Sequence, residues 1–302
     1  MSHYKFETPG HLELRVDNKA GDVRLRARPG TTTEVEVIGT GSGGEELVHN
    51  TRVEHHSGED LAHSVVIDVA SPRGLLRSLA TWNGSVTVRV ELPERADIDV
   101  SSRAGDISAD GAFGHARLAS ASGDVSVTSV GGDLHANTAS GEIRAGSVQG
   151  KAEVNTASGT VGCELLHGPT RLRTASGDIA IKTARAHVSA QTASGDVRIT
   201  ELLDGCQLQT ASGDLEVERA LSGRAKLQTM SGDVTVGVPR GTAVAVDAES
   251  LTGELSSEID LDAERPLREA EGPGGPADEG GDRWLELNAR TVSGDVLIKR
   301  VP

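Results

Sequence analysis

The sequence predicts an all-β fold: a right-handed parallel β-solenoid (β-helix) with about 18 residues and two short strands per coil, and an irregular β-rich N-terminal part. Three observations predict it. A Ser-Gly-Asp triplet recurs at a fixed interval, short apolar alternations flank each copy, and the apolar residues are mostly small or β-branched. Self-similarity at a fixed period marks stacked repeat architectures, so the period comes first.

The glycine of the triplet falls at Gly105, Gly123, Gly141, Gly159, Gly177, Gly195 and Gly213, each step being 18 residues. The spacing then loosens to Gly232 and Gly253, a last copy surrounds Gly294, and an early one, NKAGDVRLRA, surrounds Gly21. After the triplet comes apolar-x-apolar, as in Val125 and Val127, Ile179 and Ile181, Val197 and Ile199. Before the next triplet comes apolar-x-Thr, as in Val154 and Thr156, Leu172 and Thr174, Leu208 and Thr210. Such alternation is that of a strand with one face inward. Glycine often marks a second corner, at Gly132, Gly150, Gly168 and Gly223. Two strands and two corners make one coil. A single coil cannot bury its apolar row, but coils stacked ~4.8 Å apart share one core. The right hand follows from the usual crossover rule.

Four segments follow along the chain. Residues 1–100 read as a β-rich entry and cap with some antiparallel pairing, because TEVEVI, HSVVIDV and SVTVRVELP are longer and less regular. Residues 101–255 are the regular solenoid. The stretch 256–283 is an acidic, Pro/Gly-rich insertion without period, expected to be flexible. Residues 284–302 resume the repeat and are expected to finish the stack as its last coil and cap. Tyr4, Phe6, Trp82, Phe113 and Trp284 all lie outside 123–254, which suggests aromatic caps at both ends. SPRGLLRSLATW (71–82) departs from the β pattern and reads as a cover for an open sheet, or as an amphipathic turn offered to a partner.

Composition narrows the functions. The chain has 302 residues, a formal charge of −15, 37 glycines and 2% aromatic residues. That charge disfavours nucleic acid and anionic lipid surfaces. No apolar run approaches spanning length and the N-terminus carries no signal-like segment, so the expectation is a cytoplasmic protein without membrane insertion. Cys163 and Cys206 give neither a disulfide framework nor a metal pair, and Cys163 takes an inward strand position.

Each chemical signal has a plainer reading beside it. Stacking places Asp106, Asp124, Glu142, Asp178, Asp196, Asp214 and Asp233 in a row, which raises the idea of a cation ladder. Thr160 interrupts the row, and a tight turn with glycine at positive φ explains the same residues. GTGSGG (39–44) matches GxGxxG, but too little helix follows for a dinucleotide site, so it reads as a hairpin or crossover loop. His49, His55, His56 and His63 fit no zinc spacing and read as a solvated loop. No serine stands in a nucleophile-elbow context. No catalytic residue, cofactor or confident metal site is therefore expected.

The TASGDV phrase, with VRVELPERADIDVSSRAGDI leading into it, resembles a widespread bacterial family of β-strand-repeat "putative adhesins" of unknown function, toastrack-like and related to envelope-stress proteins. The resemblance implies a right-handed β-solenoid and brings no catalytic residues. The expected function is a non-enzymatic binding or scaffold module for a protein partner, linked to envelope stress or adhesion. Self-assembly into cytoskeletal-type filaments is one alternative. A carbohydrate-active β-helix enzyme is another, disfavoured because no aromatic ring lies between Phe113 and Trp284.

Overall fold

The computed structural model describes residues 1–19, 21–41, 43–58, 62–69, 84–259 and 284–302. The stretch 71–82, with Trp82, and all but the first four residues of the insertion at 256–283 lie outside the described residues. The chain is a parallel β-solenoid; the described residues contain one helix, Gly44–Asn50. It divides into two compact units, Met1–Ile181 and Lys182–Pro302.

In the first unit, strand Ala116–Ser122 turns at Gly123 into Val125–Val130. The pair recurs as Leu134–Ser140 with Ile143–Val148, and as Ala152–Ser158 with Val161–Leu166. Parallel pairing holds the repeat in register: Leu118 lies beside Ala136 and Ala136 beside Val154, while Val125 lies beside Ile143 and Ile143 beside Val161. All of these side chains are buried between the two sheets. Stacking thus turns a local alternation of two apolar residues into continuous apolar rows, which one coil alone could not hide.

A third inward row escapes the period-2 reading. Val130, Val148 and Leu166 are buried five residues after Val125, Ile143 and Val161. Each second strand turns two side chains outward after its third residue and then brings one back in. The core is therefore wider than two alternations predict, and it admits Phe113, fully buried in strand Ile107–Phe113. Phe113 is a core residue here, not part of a cap.

The N-terminal part follows a different order in space than in sequence. Strands His11–Asn18 and Val23–Arg28 form the coil beside Asp97–Ala104 and Ile107–Phe113. Strands Ala62–Val69 and Ser85–Pro93 pair in parallel on its other side. Beyond them the pairing turns antiparallel: Arg52–Ser57 on Ala62–Val69, Thr32–Thr40 on Ser85–Pro93, and Ser2–Glu7 on Thr32–Thr40. Antiparallel strands end the parallel stack within this unit.

The second unit contains a correction. One sheet runs Val197–Leu202, Leu215–Ala220, Val234–Pro239, Val296–Val301 and Leu255–Ser257; the other runs Val188–Gln191, Cys206–Gln209, Gly223–Gln228, Trp284–Ser293 and Ala243–Thr252. The segment 284–301 does not finish the stack. It inserts between coil 223–239 and coil 243–257, pairing with both. Its inward residues Leu285, Leu287, Ala289, Val296 and Ile298 are buried, whereas Val244, Val246 and Ala248 of the outer coil are only half-buried. The more apolar row takes the more covered place. Trp284 is 48% exposed and closes nothing, so the expected aromatic cap is absent at this end among the described residues.

Candidate functional site

No single cleft dominates the described residues, so the candidate site is the repeated surface, beginning at its corners. The glycines of the recurrent triplet, Gly105, Gly123, Gly141, Gly159 and Gly177 in the first unit and Gly195, Gly213, Gly232 and Gly294 in the second, all have φ between 137° and 155°. That region is strained for any residue with a Cβ. At Gly123 a Cβ would also overlap the backbone carbonyl of Gly105, one coil away. Glycine is needed twice over, for the turn and for the close approach of stacked corners.

The acid beside each glycine has a structural partner. Asp124 N–H donates to Asp106 Oδ1 at 2.9 Å, and Glu142 N–H to Asp124 Oδ1 at 2.8 Å. In the second unit the amides of Asp214, Asp233 and Asp295 donate to Asp196, Asp214 and Asp233 Oδ1, each at 2.8 Å, and Glu254 N–H donates to Asp295. In each of these coils one carboxylate accepts the next coil's backbone amide, a charge-assisted bond. Glu142, one methylene longer, turns to Arg144, and the row breaks before Thr160. Asp178 occupies the same corner position, with its carbonyl accepting from Val161 N–H. No three acidic, histidine or cysteine side chains converge as a metal set among the described residues. Of the cation-ladder candidates, Asp124 and Glu142 follow one another in the first unit, where Asp178 takes the same corner position, and Asp196, Asp214 and Asp233 follow one another in the second; in neither unit do they come together at a point.

A second ladder stands at the other corner of the first unit, and sequence reasoning missed it. His115 N–H donates to Asp97 Oδ1 at 2.6 Å, Asp133 N–H to His115 Nδ1 at 3.0 Å, and Lys151 N–H to Asp133 Oδ1 at 2.8 Å. The 18-residue spacing of Asp97, His115 and Asp133 was the available signal. The His115 bond requires Nδ1 without a proton.

Between corners, outward side chains form rows across the sheets. Gln191 donates its amide to Gln209, and Gln209 to Gln228, at 3.0 and 3.1 Å. Asn155 donates to Asn137 at 3.0 Å. Arg198 bridges Glu216 and Glu218 at 2.9 and 2.8 Å. A shallow groove of about 560 Å³ on the first unit is crossed by Arg24, Arg26, Arg89, Glu34, Glu36 and Glu91. Most of its charges are paired, as in Arg89 with Glu36 at 3.4 Å and Lys5 with Glu34 at 2.8 Å. Lys5 holds the Glu34 carboxyl below its usual range, by hydrogen bond and by charge.

The histidines are not a solvated loop. His55 and His63 lie on paired strands, with His55 Nε2 and His63 Nδ1 3.1 Å apart and rings stacked at 5.3 Å. Phe6 packs 5.0 Å from His55, and Tyr4 stacks 6.5 Å from Phe6. His56 points the other way, 3.6 Å from Glu54, and His49 belongs to the helix. Burial, then the nearby His63 and His56, push the His55 pKa down. GTGSGG leads into a helix of only seven residues, Gly44–Asn50, too short for a dinucleotide site. Its preceding strand is antiparallel in its sheet, so no βαβ phosphate turn forms. Gly39 and Gly44 instead pack backbone to backbone. Cys163 and Cys206 are buried core thiols, each pushed up to about 12 by burial. No helix among the described residues is long and apolar enough to cross a membrane.

No curated protein matches the chain. Among solved structures it is similar to a "putative adhesin" from Bacteroides fragilis, at 11% identity over 99% of this chain and 96% of that one, with a TM-score of 0.37. It is similar to a "putative lipid binding protein" from Parabacteroides distasonis, at 13% identity over 100% and 96%, with a TM-score of 0.39. A "putative adhesin" from the same organism gives 14% identity over 99% and 96%, with a TM-score of 0.35. Likeness at these scores carries no argument about what the chain does. The family comparison does carry weight: the Toastrack DUF4097 model matches residues 11–217 and again 191–299. With its triplet corners, stacked parallel coils and near-complete coverage, the chain belongs to the Toastrack DUF4097 family.

Proposed function

We propose that the chain is a non-enzymatic scaffold that binds a protein partner along an outer sheet face, in a setting of envelope stress or adhesion. The observation that carries the reading is the ordering of its outward side chains. Amide ladders and ion pairs hold them in register from coil to coil, as in Gln191, Gln209 and Gln228. Such a surface offers many modest contacts already fixed in place, which lowers the entropy cost of association. Alanine blocks placed separately on each sheet face, followed by capture of partners from the native cell, test it. Loss of capture with one face and retention with the other is the expected pattern. Equal capture by every block variant overturns the reading.

A second reading, end-to-end self-assembly, is favoured by one observation: Val244, Val246 and Ala248 on the outer coil of the second unit are only half-buried. Light scattering across a concentration series distinguishes it, since a constant monomer mass rejects it.

A further inference from the structure

The exposed large apolar residues among the described ones are Met1, Met230, Leu251, Leu255, Trp284 and Val292. All but Met1 belong to the last three coils of the second unit. Three of them share one position. Met230, Val292 and Leu251 each follow the last inward residue before the corner, at 63%, 46% and 78% exposure. Strand register puts them side by side, because Gln228 pairs with Arg290 and Arg290 with Glu249. In this unit's two earlier coils the same position holds exposed Ala193 and Ala211. A side chain pointing into water at this site does nothing for the core, so enlarging it from alanine to Met, Val and Leu demands another reason.

The flanks of this ridge differ. On one side run Asp214, Asp233, Asp295 and Glu254, all exposed and without a cationic partner among the described residues. On the other a shallow groove of about 460 Å³ is lined by Gln228, Arg290, Glu249 and, from the ridge, Leu251 and Val292, with Arg290 engaged by Asp247 and Glu249. The ridge is thus apolar with an anionic border on one side only.

Spacing decides what fits. Three stacked coils span about 9.6 Å at ~4.8 Å per step. An extended strand crossing them would repeat its facing side chains every ~6.7 Å, and would be about 4 Å out of step by the third coil. A helix lying along the corner presents side chains about 5.4 Å apart per turn and stays within about 1 Å. We infer that this corner docks an amphipathic helix of a partner protein, its apolar stripe on Met230, Val292 and Leu251 and a row of Lys or Arg along the Asp214–Asp233–Asp295–Glu254 border. The inference rests on the scaffold reading and specifies the partner's contacting element. An anionic lipid surface fits poorly, because the same border repels it.

The test uses the full chain and a labelled synthetic helix of about fifteen residues, with leucines at helical spacing and lysines along one flank. A companion peptide carries glutamates in place of the lysines. Fluorescence anisotropy is expected to show binding of the lysine peptide only. Met230→Ser with Leu251→Ser is expected to weaken it roughly tenfold or more. Asp233→Asn with Asp295→Asn keeps an oxygen for each corner amide, and is expected to weaken it roughly threefold to tenfold and flatten its salt dependence. Cooperative melting at or above the parent's temperature shows that both variants fold. No binding, equal binding of the two peptides, or binding indifferent to the ridge variant overturns the proposal. So does a concentration-dependent mass that Leu251→Ser abolishes, since the ridge then joins two copies of the chain. Sheet-face alanine blocks leave the ridge intact, so partner capture lost there with peptide binding retained overturns the scaffold reading alone. Capture retained with the peptide silent overturns this inference alone.

Discussion

At the corner, each residue of the triplet answers a separate physical demand. Glycine answers geometry: Gly213 has φ of 145°, and a Cβ there would overlap the carbonyl of Gly195. Gly213→Ala is expected to cost about 2–5 kcal/mol, from backbone strain together with overpacking, read by chemical denaturation. The aspartate answers hydrogen bonding, since Asp214 Oδ1 accepts from the Asp233 amide at 2.8 Å. Its charge is a cost, because like carboxylates recur one coil above and below. Asp214→Ala should therefore lose about 1 kcal/mol, whereas Asp214→Asn keeps the acceptor, removes repulsion and should equal or exceed the parent at low salt. If Asn destabilised as much as Ala, the carboxylate's charge would be what the corner needs, and the amide-acceptor account would fail. The glycine was readable in the sequence, as was a turn role for the acid. What could not be read was the direction of the acid's bond: it reaches across 18 residues to the next coil, where local turn rules look only within the turn.

Elements were legible where the period was strict and illegible where the chain left it. The alternations Val125/Val127 and Leu172/Thr174 located strands and their inward faces, but the third row, Val130 with Val148 and Leu166, follows a kink that period 2 cannot encode. Segment 284–301 sits inside the stack because its five buried apolar side chains need cover on both sides. Chain order carries no information about that competition for the covered place. The N-terminal cap and its antiparallel pairing were expected, but the place of the histidines in it was hidden. His55 and His63 are far from Tyr4 and Phe6 in sequence, and only the pairing of Arg52–Ser57 with Ala62–Val69 brings the histidines into contact. This cap should respond to acid. His55 has a folded pKa pushed below its ordinary 6.5, so the neutral ring is favoured in the folded state. The unfolded chain then binds more protons in the interval between the two values. Stability of the cap is complete above about 6.5 and falls as pH drops through that interval toward the folded value. Amide hydrogen exchange of strands Ser2–Glu7 and Arg52–Ser57, taken relative to the intrinsic rate at each pH, should accelerate below pH 6.5 while the regular coils stay protected. In His55→Phe, which keeps a ring against Phe6, the acceleration should shrink. Exchange that rose equally in parent and variant would assign the acid response to some other group.

Across the whole molecule, the same 18-residue coil gives both the architecture and its tolerance to change. Nearest-neighbour pairing means that each regular coil sees only the coil above and the coil below. In the first unit Ala116 pairs with Leu134, and Leu134 with Ala152; the corner carboxylate of Asp106 serves the amide at 124, and that of Asp124 the amide at 142. Removal of residues 134–151 takes out one complete coil and lets Ala116 meet Ala152 in unchanged register, with Gly159 following Gly123 at the corner. The junction keeps every inward position inward. Such a deletion should give a folded, cooperatively melting protein of lower stability, since one set of interfaces is lost and none is broken. Removal of only residues 134–142 does something different: it deletes one strand with its Gly141 corner, joins the second turn to a second strand, and sends every following strand to the opposite sheet. That shorter deletion leaves rows of valine and leucine opposite strands of the wrong register and should yield insoluble or unfolded protein. Circular dichroism melts of the two deletions, prepared side by side, distinguish a chain built from exchangeable coils from one whose coils are individually required. A coil deletion that unfolds as completely as the half-coil one would show that long-range coupling, and not nearest-neighbour stacking, holds the regular array together.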